Sequence, residues 1–271
     1  MTVINTNLNS LIAQGALSRN NRALSTAMEQ LSTGKRINAA KDDAAGLAIS
    51  NKQTAQIRGL DQAVRNANDA ISMIQTAEGA TNEVTAMLQR MRELAVQAAN
   101  ATYVAADRVA LQQEFSELQL EIKRISDMTE WNGQKILDGT TGSAVYQIGA
   151  NSSQTITVTF VDLAGMTGLS GAVASSLTVT GTGAISAMDD AIEAVDKYRS
   201  GMGAKINRLT HAADNLTNVS NNTSASRSRI LDVEYAKASS ELARTQIIQQ
   251  AATAILAQAN TSQQSVMKLL Q

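Results

Sequence analysis

The stretch IRGLDQAVRNANDAISMI, residues 57–74, decides how this chain folds. Its apolar residues recur at alternating intervals of three and four: Ile57, Leu60, Val64, Ala67, Ile71 and Ile74. This spacing places them along one face of an α-helix, at the period of a coiled coil. Because such an apolar seam is buried only against other helices, the stretch predicts a long helix inside a helical assembly.

The pattern continues beyond Ile74 with a change of phase. The apolar residues of this second part are Ala77, Ala80, Val84, Met87, Met91, Leu94 and Ala98. We therefore predict one helix over 43–100, with a strained supercoil near Ala77, where the seam slips. Asp42 or Asp43 is the expected N-terminal cap, because a carboxylate accepts hydrogen bonds from the free N–H groups of a first helical turn.

Further helical seams flank this segment. After a break at Asn100, a second helix that folds back antiparallel is predicted from Leu111, Phe115, Leu118, Ile122 and Ile125. A third helix is predicted from Ile185 to Leu216, with Arg199 at the polar position of its seam. Amphipathic helices are also predicted at both ends, from Leu17, Leu24 and Leu31, and from Val233, Ala236, Ala243, Ile247, Ala254 and Ala257.

The middle of the chain has a different character. Two β-rich runs, 145–148 and 155–160, predict a hairpin. The stretch 164–183 is rich in Gly, Ser and Thr, and predicts an irregular tip with a short strand at 177–180.

Composition excludes several classes of function. The absence of Cys excludes thiolate catalysis and Cys-ligated metal, and one histidine, His211, excludes a His-based metal cluster. The formal charge of −1 gives no basic field for nucleic acid. We also expect no membrane partner and no cleaved secretory signal, because no apolar run has the necessary length.

Five stretches of the chain resemble bacterial flagellins in a short form with a reduced variable region. The matching stretches are INTNLNSLIAQ (4–14), LSTGKRINAAKDDAAGLAIS (31–50), QRMRELAVQAAN (89–100), WNGQKILDG (131–139) and SRSRILDVEYAKASSELARTQIIQQAATAILAQAN (226–260). The resemblance is ordered and extends over nearly the whole chain, so it is far more specific than a single short motif.

The resemblance implies a mainly α fold, in which long antiparallel helices form a coiled-coil rod with a small β-hairpin region at mid-chain. It implies three parts. Residues 1–43 with 228–271 form an inner terminal coiled coil, 44–142 with 184–227 form an outer helical layer, and 143–183 form the hairpin and a short Gly/Ser/Thr-rich tip.

The function that the resemblance implies is that of a structural subunit, not an enzyme and without cofactors, that self-polymerises into the extracellular flagellar filament used for motility. Export through the flagellar secretion system without signal cleavage is also implied. The implied partners are other copies of the chain, a flagellin export chaperone, the filament cap and hook–filament junction proteins, and the innate receptor Toll-like receptor five.

Two groups of residues are the expected sites. For polymerisation by the terminal helices, the residues are Leu8, Leu11, Leu17, Leu24, Leu31, Ile247, Ile248, Ile255, Leu269 and Leu270. For receptor binding and axial subunit contact, carried over by similarity, they are Gln89, Arg90, Arg92, Glu93, Leu94 and Glu114. A hook–filament junction protein that caps instead of polymerising is the alternative. An enzyme is a third hypothesis, and it would need a catalytic cluster in the tip.

Overall fold

A computed structural model describes residues 7–180 and 183–268, except the side chains of 262–268. The helices are α1 (Leu8–Thr33), α2 (Ala44–Ala99), α3 (Ala105–Met128), α4 (Leu169–Val173), α5 (Ala184–Leu231) and α6 (Tyr235–Lys268). The strands are β1 (Glu130–Trp131), β2 (Gln134–Lys135), β3 (Ser143–Gln147) and β4 (Thr155–Thr159). The predicted mainly α class, with a small mid-chain β region, is confirmed.

The chain divides into two compact units. The first comprises the residues up to Ala55 together with those from Asn222 onward, and the second comprises Gln56–Asn221. The second unit holds a continuous apolar core to which α2, α3, α5 and the β3–β4 hairpin all contribute. The three parts predicted from the sequence have different boundaries from these two units. They stay a prediction about the layers of the assembled filament.

The buried seam of α2 keeps its phase through the region around Ala77, so the predicted slip there is wrong. Buried positions keep the alternation of three and four residues through this region: Ala67, Ala70, Ile74, Ala77, Thr81, Val84, Leu88, Met91, Ala95 and Ala98. Thr81 is polar, so a search of the sequence for apolar residues omits it and assigns the seam to the neighbouring stripe of the helix. Its hydroxyl donates to the Glu78 carbonyl at 2.9 Å, which satisfies the group inside the core.

The turn between α1 and α2 is built by two neighbouring aspartates with different tasks. Asp43 is the cap of α2, since its Oδ1 accepts from the Gly46 N–H at 2.8 Å. Asp42 accepts from the N–H groups of Ala39 and Asn38 at 2.9 and 3.1 Å. These backbone hydrogen bonds, led by the one from Ala39, lower the pKa of Asp42.

The predicted hairpin is confirmed, with β3 and β4 antiparallel and Tyr146 opposite Ile156. Residues 177–180 do not form the predicted strand, since Leu177 and Thr178 are irregular and Val179 and Thr180 lie in a turn. The short helix α4 lies in the stretch predicted to be irregular. Its local sequence carries no helical period, because five residues are too few to show one.

The seam predicted for the C-terminal helix is also wrong. Ala236, Ala243, Ile247, Ala254 and Ala257 are exposed, whereas the buried residues of α6, among those up to 261 whose burial is described, are Ala238 and Thr245. One of these two buried residues is a threonine, so hydrophobicity alone selects the opposite side of the helix.

Candidate assembly and recognition surfaces

Helices α1 and α6 form an antiparallel pair. The Asn7 amide donates to the Ala259 carbonyl at 3.0 Å, and the Asn20 amide donates to the Thr245 carbonyl at 2.8 Å. At the other end of the pair, the Tyr235 hydroxyl donates to the Leu31 carbonyl at 3.2 Å.

The pair buries small and polar groups and leaves large aliphatic ones outside. Among the residues of α1 and α6 whose burial the structure describes, the fully buried ones are Asn20, Ala27, Ala238 and Thr245. Six large aliphatic side chains, which we call the exposed aliphatic set, are 40 to 68% exposed: Leu8, Leu11, Ile12, Ile247, Ile248 and Ile255. This distribution is the reverse of that in a self-sufficient helix pair.

The remaining residues predicted for polymerisation have other environments. Leu17, Leu24 and Leu31 are half-buried. Leu269 and Leu270 lie outside the described residues. The sequence prediction did not include Ile12, although its spacing of four residues from Leu8 on the same helix is visible in the sequence.

A groove of about 530 Å³ lies beside the pair near the free end of α1. Its lining alternates alanines with the aliphatic side chains of Ile12 and Ile255, and consists of Asn9, Ile12, Ala13, Ala16, Ala252, Ile255, Gln258 and Ala259. No charged side chain is among these residues, so the groove suits an apolar side chain of a partner.

A short bridge of main-chain hydrogen bonds fastens the base of the pair. Arg36 N–H donates to the Leu231 carbonyl at 2.7 Å, and Val233 N–H donates to the Gly34 carbonyl at 3.0 Å. Gly34 has φ +69°, which glycine adopts without strain. These hydrogen bonds join the segment that follows α1 to the segment that precedes α6.

The exposed residues predicted for receptor and axial contact lie on α2 and α3 of the second unit, and Asp189 extends their charged surface to α5. Arg90 on α2 donates to Glu114 on α3 at 2.8 Å and to Glu93 at 3.0 Å. Arg92 donates to Asp189 on α5 at 2.6 Å. The hydrogen bond that Arg90 donates to Glu114 is the main cause that raises the pKa of Arg90, and the one that Arg92 donates to Asp189 raises the pKa of Arg92.

The structure separates Leu94 from that surface. Its side chain is 0% exposed and belongs to the apolar core, beside Met91. Gln89 is exposed, as are Arg90, Arg92 and Glu93. Leu94 therefore supports the surface from below. Asp189 was missed by sequence reasoning, because it follows Arg92 by almost a hundred residues and only folding brings the two together.

Neither a metal-type cluster nor a helix that could span a membrane is found in the described part of the chain. No group of three or more His, Asp or Glu side chains converges among the described residues. None of the helices in the described part of the chain has an apolar stretch of the length that a bilayer requires. His211 is exposed on α5.

These features are typical of an assembly subunit: long helices, a terminal pair with its large aliphatic side chains outside, and an exposed charged surface. Comparison with known proteins identifies the family. A family model of the bacterial flagellin N-terminal helical region matches residues 4–141, and one of the bacterial flagellin C-terminal helical region matches 185–270. The chain belongs to the bacterial flagellin family.

Individual relatives agree with this assignment. The flagellin of Halalkalibacterium halodurans is 50% identical over 270 residues, which cover 99% of each chain. The flagellin of Bacillus subtilis is 44% identical over 301 residues, covering 98% of this chain and 99% of that protein. The crystal structure of Bacillus cereus flagellin matches with a TM-score of 0.50 and 32% identity, over 56% of this chain and 88% of that one.

Family membership establishes the general role. Flagellins are structural proteins and not enzymes, so the chain is a subunit that polymerises with its own copies into the extracellular filament of the bacterial flagellum.

Proposed function

We propose that copies of this chain assemble through the exposed aliphatic set on the α1–α6 pair. The observation that carries the proposal is the reversed distribution in the pair, which buries Asn20 and Thr245 and exposes isoleucines and leucines. Burying one such side chain is worth about 1.5–3 kcal/mol, so six of them provide a strong drive for association.

The occupant of the groove near Ala13 and Ala252 is an aliphatic side chain of another copy. Ile12 and Ile255 of the exposed aliphatic set line this groove, whereas the other four members, Leu8, Leu11, Ile247 and Ile248, lie outside it and form a different surface. Contacts between different surfaces of identical subunits do not have to close on themselves, and they produce open helical filaments.

Replacement of Ile247 and Ile255 by Gln tests this proposal. These side chains are 66% and 61% exposed, so the substitutions leave the interior of the subunit intact. Short filament seeds are added to monomer at neutral pH, and growth is followed by electron microscopy. We expect Ile247→Gln/Ile255→Gln to stop elongation.

Leu120→Gln is the matched control, because Leu120 is 62% exposed on α3, outside the terminal pair. Equal loss of growth in the control and in the double variant would contradict the proposal. Unsubstituted chain that binds to seeds without elongating them would favour a hook–filament junction protein instead.

We propose further that the monomer is recognised by Toll-like receptor five through the surface around Arg90 and Glu114. Support comes from the resemblance of residues 89–100 to the receptor-binding segment of flagellins, and from the exposed ion pairs that join Arg90 to Glu93 and Glu114. The same surface makes axial contacts between subunits, so the receptor binds monomer and not intact polymer.

Arg90→Ala should reduce receptor signalling by the monomer strongly. Arg124→Ala is the control, because Arg124 is also exposed and paired with a glutamate, Glu121, at 2.6 Å. Unchanged signalling by Arg90→Ala, or an equal loss in Arg124→Ala, would contradict the assignment.

We propose finally that the flagellar secretion system exports the chain without cleavage of a signal, and that a flagellin export chaperone binds the α6 region. The filament cap and the junction proteins are its remaining partners at the filament ends.

Exposed Ile247 and Ile248 support chaperone binding, since an amphipathic helix presents such side chains to a groove. Titration calorimetry with purified chaperone should show at least tenfold weaker binding for Ile247→Gln/Ile248→Gln than for the unsubstituted chain. Undiminished binding would refute the proposal that the chaperone binds the α6 region.

A further inference from the structure

Three polar residues on the buried side of α3 form a regular series. Gln112, Gln119 and Ser126 follow one another at intervals of seven residues, which is about 10 Å along a helix. Phe115 and Ile122, both 0% exposed, occupy the positions between them. We call the three polar residues the polar ladder. Glutamine at a buried seam position needs hydrogen-bond partners, because an unpaired buried amide is costly.

All partners of the ladder outside α3 are main-chain atoms of the connection from β2 to α5. Gln119 Nε2 donates to the carbonyls of Ala172 and Ala174 at 2.9 and 3.1 Å. Gln112 Oε1 accepts from the Val179 N–H at 2.6 Å.

Ser126 completes the series at the other end of α3. Its hydroxyl donates to the Leu137 carbonyl at 2.8 Å and accepts from the Ala164 N–H at 3.3 Å. Residues 164–179, which we call the docked segment, therefore run antiparallel to α3 from Ser126 to Gln112.

The side chains of the docked segment fall into two groups. Leu169, Ala172 and Val179 are buried in the apolar core, with at most 2% exposure. Most of the residues between them are exposed, namely Ser170, Gly171, Ser175, Ser176 and Thr178. The turn at 174–177 lies between the two glutamine contacts, and the Leu177 N–H donates to the Ala174 carbonyl at 2.9 Å.

We propose that Gln112 and Gln119 are positioning residues that hold the docked segment on α3 through its main chain, whatever its exposed side chains. Hydrogen bonds to main-chain carbonyl and N–H groups do not depend on which side chains the segment carries. The docked segment therefore stays on α3, and the core stays covered, when its exposed residues change. The family models support this interpretation, because they match on both sides of residues 142–184 and leave the docked segment outside. The proposal is independent of how the chain polymerises.

Amide hydrogen exchange of the full chain tests the proposal directly. In Gln112→Ala the Val179 amide loses its acceptor. We expect it to exchange about tenfold faster, because a local opening then exposes it. Gln119→Met keeps the volume of the side chain and removes the donor, and it should raise chymotrypsin cleavage after Leu177 by a similar factor.

Two controls separate positioning from general destabilisation. Gln113→Ala, at an exposed neighbour of Gln112 on the same helix, should change neither rate. A chain with Ser170, Ser175, Ser176 and Thr178 all replaced by Asn should keep the wild-type rates. Unchanged exchange at Val179 in Gln112→Ala would overturn the proposal, and so would an Asn-substituted segment that opens as readily as Gln119→Met.

Discussion

Asn20 lies opposite Thr245, and its side-chain amide donates to the Thr245 carbonyl at 2.8 Å inside the α1–α6 pair. Both residues are buried, with 9% and 1% exposure. The Thr245 hydroxyl donates in turn to the carbonyls of Glu241 and Leu242. The centre of the terminal pair is thus a satisfied polar contact, and the aliphatic side chains remain available to other copies.

Asn20→Ala should weaken the terminal pair by about 1 kcal/mol, since it removes a buried hydrogen bond. Filaments of this variant are expected to dissociate at a lower temperature than wild-type filaments in a melting experiment followed by light scattering. Asn21→Ala is the control, because the Asn21 bond to Gln249 is exposed and longer, at 3.2 Å. A larger effect of the control would show that the buried contact has no special role.

Leu94→Ala should destabilise the second unit by about 2–5 kcal/mol, because it opens a cavity in the core. Val96→Ala, two residues along α2 and 48% exposed, should change stability by no more than about 0.5 kcal/mol. Denaturant unfolding of the monomer measures both. Equal stability of the two variants would place Leu94 on the surface, contrary to its burial.

Two glycines of the docked segment should respond to alanine with opposite signs. Gly168 has φ +100°, and a Cβ there would lie 3.0 Å from the Asp190 carbonyl oxygen, so Gly168→Ala should cost about 1–3 kcal/mol. Gly171 is helical with open space around it, and Gly171→Ala should stabilise by about 0.5–1 kcal/mol. Thermal unfolding compares the pair, and a loss of stability in both would contradict the geometry.

Asp42 should stabilise the fold at neutral pH and not in acid. Its folded pKa lies below the unfolded value, so its contribution is fully present above the unfolded pKa of about 3.9. That contribution is lost as the pH falls through the lower, folded pKa. The difference in unfolding free energy between wild type and Asp42→Asn, measured against pH, should shrink on acidification. A constant difference would show that the charge of Asp42 is irrelevant to the turn.

Local periodicity predicted most of the elements. The α2 helix was predicted over 43–100 and spans Ala44–Ala99, and the β3–β4 hairpin was also predicted. Two errors, the misplaced seams of α2 and α6, share one cause, because Thr81 and Thr245 are polar residues at buried positions. Hydrophobicity cannot distinguish a threonine that bonds to its own helix from one that faces water, so the α2 seam was assigned to a neighbouring stripe and the α6 seam to the opposite side of its helix.

The sequence by itself determined the helical class, the elements and the family, since these follow from spacing and from long matching stretches. Only the tertiary structure decided which charges meet, as with Arg92 and Asp189, and which aliphatic side chains remain exposed. It also decided that Leu94 is internal and that Gln119 faces the main chain of the docked segment. The physical reason is that periodicity acts between neighbouring turns of one helix, whereas burial and pairing depend on segments that are distant in the sequence.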